Sequence, residues 1–210
     1  MQLSRPGRDM NRRQILVAGA GLFGAFAPAP ANAQSRAPIG TIEEMRGEAF
    51  AEQGSDRRTL TPNGDIFVGD MLTTGDNARL VMKLGPATTI KLGAQARLKI
   101  DRYLADVGGE FDMQAGHMNF ERRGKPTTEG ITFRSAYGLL AVRGTRFYAG
   151  PNRGQFAVLV GEGKVEVTAG NRSVMVLPQQ GIDIKAPGQP PTTPAPWQAA
   201  RIREMQAYFR

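Results

Sequence analysis

Apolar residues recur at every second position in short runs between residues 38 and 187, and this alternation restricts the fold more than any other feature of the chain. Within 79–84, for example, Leu80, Met82 and Leu84 fall on one side of an extended chain. Alternation over about four to eight residues is typical of strands that are buried on one face. The run FAVLV within 154–161 is continuous, so it predicts a central strand buried on both faces.

Turn-forming residues separate these runs at short intervals. Glycine adopts positive φ without steric cost, and Asn and Asp tolerate it better than most residues, so such pairs mark tight turns. The turn signals are Asn63-Gly64, Gly69-Asp70, Gly75-Asp76-Asn77, Gly85-Pro86, Gly108-Gly109, Gly161-Glu162-Gly163 and Gly170-Asn171. Many short strands with this punctuation predict an all-β domain over residues 38–187, built as a two-sheet sandwich or a stacked β-roll.

The last part of the chain has a different composition. Residues 188–196 are rich in proline and predict an extended linker, and residues 197–210 predict a short amphipathic helix. The apolar positions of this helix are Trp197, Ile202, Met205 and Phe209. We expect the helix to dock on its own β-domain. The alternatives are that these four side chains bind a partner protein, or that the helix contacts a membrane surface.

Residues 1–33 have the composition of a secretory signal peptide. A segment with four arginines and one aspartate is followed by a modestly apolar stretch, 15–27, and by the small-residue site Ala31-Asn32-Ala33. We therefore expect cleavage between Ala33 and Gln34. The alternative is an uncleaved N-terminal membrane anchor, although the apolar stretch is short for a span, which needs about 20 residues.

The pair Arg12-Arg13, followed by Gln14-Ile15-Leu16, resembles the twin-arginine export motif. That resemblance implies that the protein crosses the inner membrane already folded and resides in the periplasm. No second membrane span is expected after the signal is removed, although peripheral contact with an anionic membrane remains open.

The content of reactive side chains restricts the chemistry. The chain has no cysteine and a single histidine, His117, so a disulfide framework, a thiolate metal site and a multi-histidine metal site are excluded. We expect His117 to be a surface or packing residue, and we predict neither catalytic residues nor a cofactor. The net charge is +8, but the basic residues are scattered among acidic ones, which disfavours a nucleic-acid interface.

Three ordered blocks resemble the FecR domain. They are Val68–Leu84, Phe133–Tyr148 and Val158–Val167, and the similarity covers about residues 40–187. The residues that carry the resemblance are Gly69, Asp70, Thr74, Gly75, Asp76, Val142, Arg143, Gly144, Thr145, Glu162 and Gly163. The resemblance implies an all-β domain in which these residues are mainly structural.

One of these blocks, Val142 to Thr145, carries a specific structural expectation. Alternation places Arg143 on the face opposite Val142, and Gly144 inside a strand pattern predicts a bulge or a close backbone approach. A half-buried arginine needs a counter-charge. We therefore expect Arg143 to form an ion pair with Asp70, Asp76 or Glu162; the alternative is that Arg143 contacts a ligand or partner.

The FecR resemblance also bears on function. Its well-known members span the membrane, sense an occupied outer-membrane transporter and control an extracytoplasmic-function sigma factor. This sequence shows neither a sigma-binding domain in 1–33 nor a transporter-binding domain after the β-domain. We therefore expect a stand-alone, non-catalytic module that binds an envelope protein in signalling or assembly, through a sheet edge or through the C-terminal helix. The alternative is a module that binds polysaccharide or a small ligand through the aromatic residues Tyr103, Phe120 and Tyr137.

Overall fold

Two nine-stranded β-sheets and one short helix make up the described part of the protein. The computed structural model describes residues 36–209. The predicted export motif at Arg12 and Arg13 and the predicted cleavage site between Ala33 and Gln34 lie outside the described residues. Within 36–209, no helix has the length and apolar character that a membrane crossing requires.

The chain passes repeatedly between the two sheets. In sequence order the elements are β1 (Gly40–Arg46), β2 (Ala49–Gln53), β3 (Asp56–Thr59), β4 (Asp65–Ile66), β5 (Met71–Thr74), β6 (Arg79–Leu84), β7 (Thr88–Leu92), β8 (Arg97–Leu104), β9 (Gly108–Ala115), β10 (Met118–Arg122), β11 (Gly130–Ser135), β12 (Gly138–Val142), β13 (Arg146–Asn152), β14 (Gln155–Glu162), β15 (Val165–Ala169), β16 (Arg172–Val176), β17 (Gln180–Ile184), β18 (Ala195–Pro196) and α1 (Ala199–Ala207).

The strand order is regular within each sheet. The first sheet runs β18-β17-β14-β13-β10-β7-β6-β1-β4, and the second runs β16-β15-β12-β11-β9-β8-β5-β2-β3. Neighbouring strands are antiparallel except for β9 and β11, which pair in parallel. The predicted all-β, two-sheet fold is therefore confirmed, together with its short C-terminal helix.

Four phenylalanines join the two sheets at the centre of the core. Phe111 and Phe133 come from the second sheet, Phe120 and Phe147 come from the first, and all four are fully buried. Phe133 is the hub, since its ring centroid lies 4.9 Å from that of Phe111, 5.2 Å from Phe120 and 5.4 Å from Phe147. Aromatic pairs at these separations contribute beyond their buried area.

The continuous apolar run in β14 is buried on both faces, as predicted. Phe156, Val158 and Val160 point into the core between the sheets. Ala157 and Leu159 point the other way and are covered by Met205 of α1, which is itself fully buried. The outer face of β14 is therefore covered by α1. This explains why β14 lacks the alternation of apolar and polar residues seen in its neighbours.

The helix is fastened to the sheet by polar contacts as well. Arg201 forms a two-pronged ion pair with Asp183 of β17, at 2.5 and 3.0 Å, and its guanidinium lies 3.6 Å from the centre of the Trp197 ring. Asn152 and Arg153 donate hydrogen bonds to Glu204 at 2.8 to 3.1 Å. The helix thus docks on its own domain, as expected from the sequence.

The boundaries at this end differ from the expected ones. Ala195 and Pro196, expected to lie in the linker, pair with β17 as strand β18, and the helix begins at Ala199 instead of at Trp197. The backbone N–H of Trp197 donates to the carbonyl of Gln179, which holds the chain against the sheet before the helix begins.

Strand β1 shows no clear alternation in the sequence because it contains a bulge. The register against β6 shifts between Ile42 and Glu44, so that only Ile42 is fully buried within the strand. A bulge opposes two residues to one and interrupts the period of two.

The buried position of Met205 gives a test of the docked helix. We expect Met205→Ala to lower the free energy of unfolding by about 2 kcal/mol, because it opens a cavity between α1 and β14. The matched control is Met175→Ala on β16, where the side chain is 43% exposed and the expected loss is below about 0.5 kcal/mol. Urea unfolding of both variants measures the difference, and equal losses would show that α1 is not packed as described.

Candidate functional site

Several residues of the FecR-like pattern lie together where the chain crosses between the sheets. Strand β12 of the second sheet ends at Val142 and β13 of the first sheet begins at Arg146, so Arg143, Gly144 and Thr145 form a crossover. The Thr145 hydroxyl donates to the carbonyl of Lys164 (3.1 Å), which tethers this crossover to the one between β14 and β15.

The prediction of a continuous strand through Val142-Arg143-Gly144-Thr145 is therefore wrong. Gly144 has φ of 61°, a left-handed conformation that ends the strand and redirects the chain to the other sheet. The predicted close backbone approach is present instead of a bulge, because the Gly144 carbonyl lies against Gly163 of the adjacent crossover.

The expected ion pair of Arg143 is also wrong. Arg143 is exposed and forms no ion pair with any residue in 36–209. Its three proposed partners are engaged elsewhere: Asp70 with Arg58, Glu162 with Arg146 at 2.5 Å, and Asp76 with the amide of Gln95. The strand ends at Val142, so Arg143 lies in the turn and does not need a buried counter-charge.

Asp70 forms the structural ion pair of the first block, with Arg58 as its partner. Its side chain is 1% exposed, accepts a hydrogen bond from the Phe67 N–H (2.9 Å) and pairs with Arg58 of β3. Burial raises the pKa of Asp70, and the contacts with Phe67 and Arg58 oppose that rise. The sequence pointed to the right carboxylate and the wrong arginine.

Thr74 also has a structural role. Its hydroxyl donates to the Gly93 carbonyl (2.7 Å) and accepts from the Ala96 N–H (2.8 Å), so it joins two neighbouring turns in the interior. Together with Asp70, it shows that the buried polar residues of the first block hold turns in place.

His117 and the three candidate aromatic residues are occupied in packing. The His117 ring stacks on Tyr208 with centroids 3.5 Å apart, and its Nε2–H donates to the Pro151 carbonyl (2.6 Å). Burial lowers the pKa of His117. Tyr103 and Phe120 are buried in the core, and Tyr137 stacks on Phe156 at 4.8 Å, so the three rings do not form an exposed groove.

The tail residues that could bind a partner are engaged on the domain. Met205 is fully buried, Trp197 and Ile202 pack around it, and the Phe209 ring lies 5.8 Å from that of Tyr148. A partner-binding role for these four residues stays a prediction, and it would require the helix to leave the sheet.

The sheet edges differ in how they are protected against pairing with another chain. At the edges of the first sheet, β4 and β18 are two residues long. At one edge of the second sheet, β3 carries Arg57 and Arg58, which pair with Glu52 and Asp70. Short and charged edge strands resist strand addition. Strand β16, at the other edge of the second sheet, has five residues, and its interior Ser173–Met175 carries no charge.

The hairpin of β15 and β16 determines which backbone groups of β16 face outward. Gly170 and Asn171, with φ of 48° and 61°, form a two-residue turn between the paired residues Ala169 and Arg172. Hydrogen-bonded pairs then alternate along the ladder. The N–H and C=O groups of Ser173 and Met175 therefore point away from β15, at the open edge.

The outer face beside this edge carries exposed apolar side chains. Met175 is 43% exposed, Leu177 is 46% exposed, and Leu139 of β12 is 38% exposed. A cavity of about 300 Å³ lies on the same face, between Met175 and Arg143. We call the open strand and this face the β16 patch, defined by Leu139, Ala141, Arg143, Lys164, Glu166, Thr168, Ser173, Met175 and Leu177.

Sequence reasoning missed the β16 patch as a specific site. The alternation at 173–177 and the Gly170-Asn171 turn predict a hairpin strand, but they do not say whether another strand lies beyond it. Only the strand order of the second sheet places β16 at an edge.

Comparisons with known proteins agree with the sequence resemblance. A family model described as FecR protein matches residues 70–166. A comparison with curated proteins gives no match. Two crystal structures of a candidate anti-sigma factor from Parabacteroides distasonis ATCC 8503 superpose with a TM-score of 0.51 and 19% sequence identity, over 63% of this chain and 62% of that chain. The superposition spans less than two thirds of the solved chain, and at this identity the likeness concerns the fold.

The crossover glycine Gly163 gives a test of the family pattern. A Cβ at Gly163 would lie 2.6 Å from the Gly144 carbonyl oxygen, and the residue has φ of 73°. We expect Gly163→Ala to cost about 3 kcal/mol of unfolding free energy. Gly154→Ala is the control, because Gly154 has φ of 77° but no neighbour within 4 Å, and it should cost about 1 kcal/mol. Equal losses by thermal unfolding would refute the close approach.

The buried carboxylate of Asp70 gives a pH-dependent test. Arg58→Met removes its counter-charge, so the pKa of Asp70 in the folded protein should rise further above the unfolded value. The variant should then lose about 1 to 2 kcal/mol at pH 7, and recover part of it near pH 4, where the carboxyl is protonated.

The control for this variant is Arg57→Met, whose ion pair with Glu52 is exposed and contributes little. Urea unfolding of both variants at the two pH values measures the effect. A loss for Arg58→Met that does not change with pH would contradict the assignment of Asp70 as the affected group.

Proposed function

We propose that the chain is an exported, non-catalytic module that binds a protein partner in cell-envelope signalling or assembly, and the match of residues 70–166 to the FecR family model supports this proposal. The partner's extended segment adds to the second sheet along β16. The observation that carries this proposal is the unprotected edge, where Ser173 and Met175 present four backbone hydrogen-bonding groups beside exposed Met175 and Leu177.

The regulatory part of the proposal is supported by family and fold. FecR proteins include envelope regulators, and the solved structures with the same fold come from a candidate anti-sigma factor. The periplasmic location is supported by the Arg12-Arg13 pair and the small-residue site at Ala33.

A non-catalytic role is supported by what the family residues do. Asp70, Thr74, Thr145 and Gly163 are engaged in turns and crossovers, and His117 is stacked on Tyr208. An acid–base or nucleophilic mechanism needs a nucleophile and a base that lie side by side in a cleft of substrate size. These five residues are not arranged in that way. Of the aromatic residues suggested for a polysaccharide site, Tyr103 and Phe120 are buried in the core and Tyr137 is half-buried against Phe156, which favours the protein-binding interpretation.

Site-specific photo-crosslinking tests the proposed edge. A photo-reactive amino acid replaces Ser173 in the full chain, expressed in its own bacterium, and irradiation is followed by mass spectrometry. We expect a discrete protein adduct. In the background Met175→Lys with Leu177→Lys, the adduct should fall by about tenfold or more, because charged side chains on an edge strand block pairing.

The control background is Leu104→Lys, at the end of β8, where the side chain is 60% exposed and lies outside the β16 patch. This variant should retain the adduct. An adduct that persists when Met175 and Leu177 are both replaced would contradict binding along β16, and an adduct containing glycan without protein would favour a polysaccharide-binding module.

A further inference from the structure

The β16 patch has an uncompensated positive corner. In the paired strands, Val176, Val165 and Val142 lie side by side. One position further along each strand are Leu177, Lys164 and Arg143, which are all exposed. Neither Lys164 nor Arg143 forms an ion pair with a residue in 36–209, and both line the cavity of about 300 Å³.

The nearby carboxylates do not neutralise this corner. Glu162 pairs with Arg146 at 2.5 Å, and Glu129, on the opposite side of the cavity, pairs with Arg102 at 2.8 Å. Glu166 lies two positions further along the chain than Lys164, on the same face, and the three side chains Arg143, Lys164 and Glu166 together keep a net positive charge. Positively charged side chains without a neighbouring counter-charge attract a negative charge on an incoming partner.

A second copy of this chain is poorly suited to the edge. Two β16 strands related by a twofold axis would place the Lys164 corner of one copy beside the Ser173 end of the other. That end presents Ser173, Thr168 and Leu139, and Arg172 lies next to it, so it supplies no carboxylate. The net positive charge of the chain also opposes association of identical chains.

We propose that the occupant of the β16 edge is an extended segment of a partner protein that is apolar at alternating positions and acidic where it passes Leu177. This proposal rests on the proposed function and specifies the partner's chemistry. Inward-facing apolar side chains of the segment continue the core beside Val174, which is 9% exposed. Its acidic end lies over Leu177, within reach of the flexible Lys164 side chain, and Arg143 adds to the field from the next strand.

Two synthetic peptides test the preference directly. Both contain the sequence Thr-Val-Thr-Val-Thr, one preceded by Glu-Glu and the other by Lys-Lys, so that antiparallel addition to β16 places the charged end over Leu177. Binding to the full chain is measured by fluorescence anisotropy at low ionic strength. We expect the acidic peptide to bind about fivefold more tightly than the basic one. The ratio should approach one in the variant Lys164→Ala with Arg143→Ala, and it should fall as salt is added.

Lys125→Ala is the matched control, because Lys125 is an exposed cation in the loop between β10 and β11 that does not line the cavity. This variant should keep the ratio. Equal binding of the two peptides, or a ratio unchanged when Lys164 and Arg143 are replaced, would overturn the acidic preference while leaving the edge intact. Failure of both peptides to bind would contradict strand addition itself, and with it the proposed function.

Discussion

The contact on which the whole domain depends is the cluster of four phenylalanines between the sheets. Phe133 of the second sheet touches Phe120 and Phe147 of the first, so one side chain connects strands from both layers. The cluster also lies beside the parallel pairing of β9 and β11, since Phe111 and Phe133 are register partners on these strands. Rings of this size fix the separation of the layers, and the crossovers must then have the length that this separation demands.

The residues of the FecR-like pattern shape these turns and crossovers. They lie where the chain turns or leaves one sheet for the other. Thr145 ties two crossovers together, Gly163 allows the Gly144 carbonyl to approach closely, and Asp70 holds Arg58 against the end of the second sheet. Because these residues maintain the framework, the exposed surface of the domain can vary without disturbing the fold.

Local patterns in the sequence predicted the strands. The contacts between residues far apart in the chain could not be predicted from it. Alternation at Leu80, Met82 and Leu84 predicted β6, because successive side chains of a strand point to opposite faces and only one face is buried. The partner of Arg143 was predicted wrongly because the sequence does not show that the strand stops at Val142. The exposed edge at β16 was invisible for a related reason: whether Ser173 and Met175 find a neighbour depends on strands far away in the chain.

The helix on the outer face of β14 has a consequence for the order in which the domain is completed. Leu159 is covered by Met205, which lies 46 positions later in the chain. During synthesis the N-terminal part of a chain can fold first, so β14 is built with its outer face still open to water. The sheet gains its full protection from solvent only when α1 has emerged.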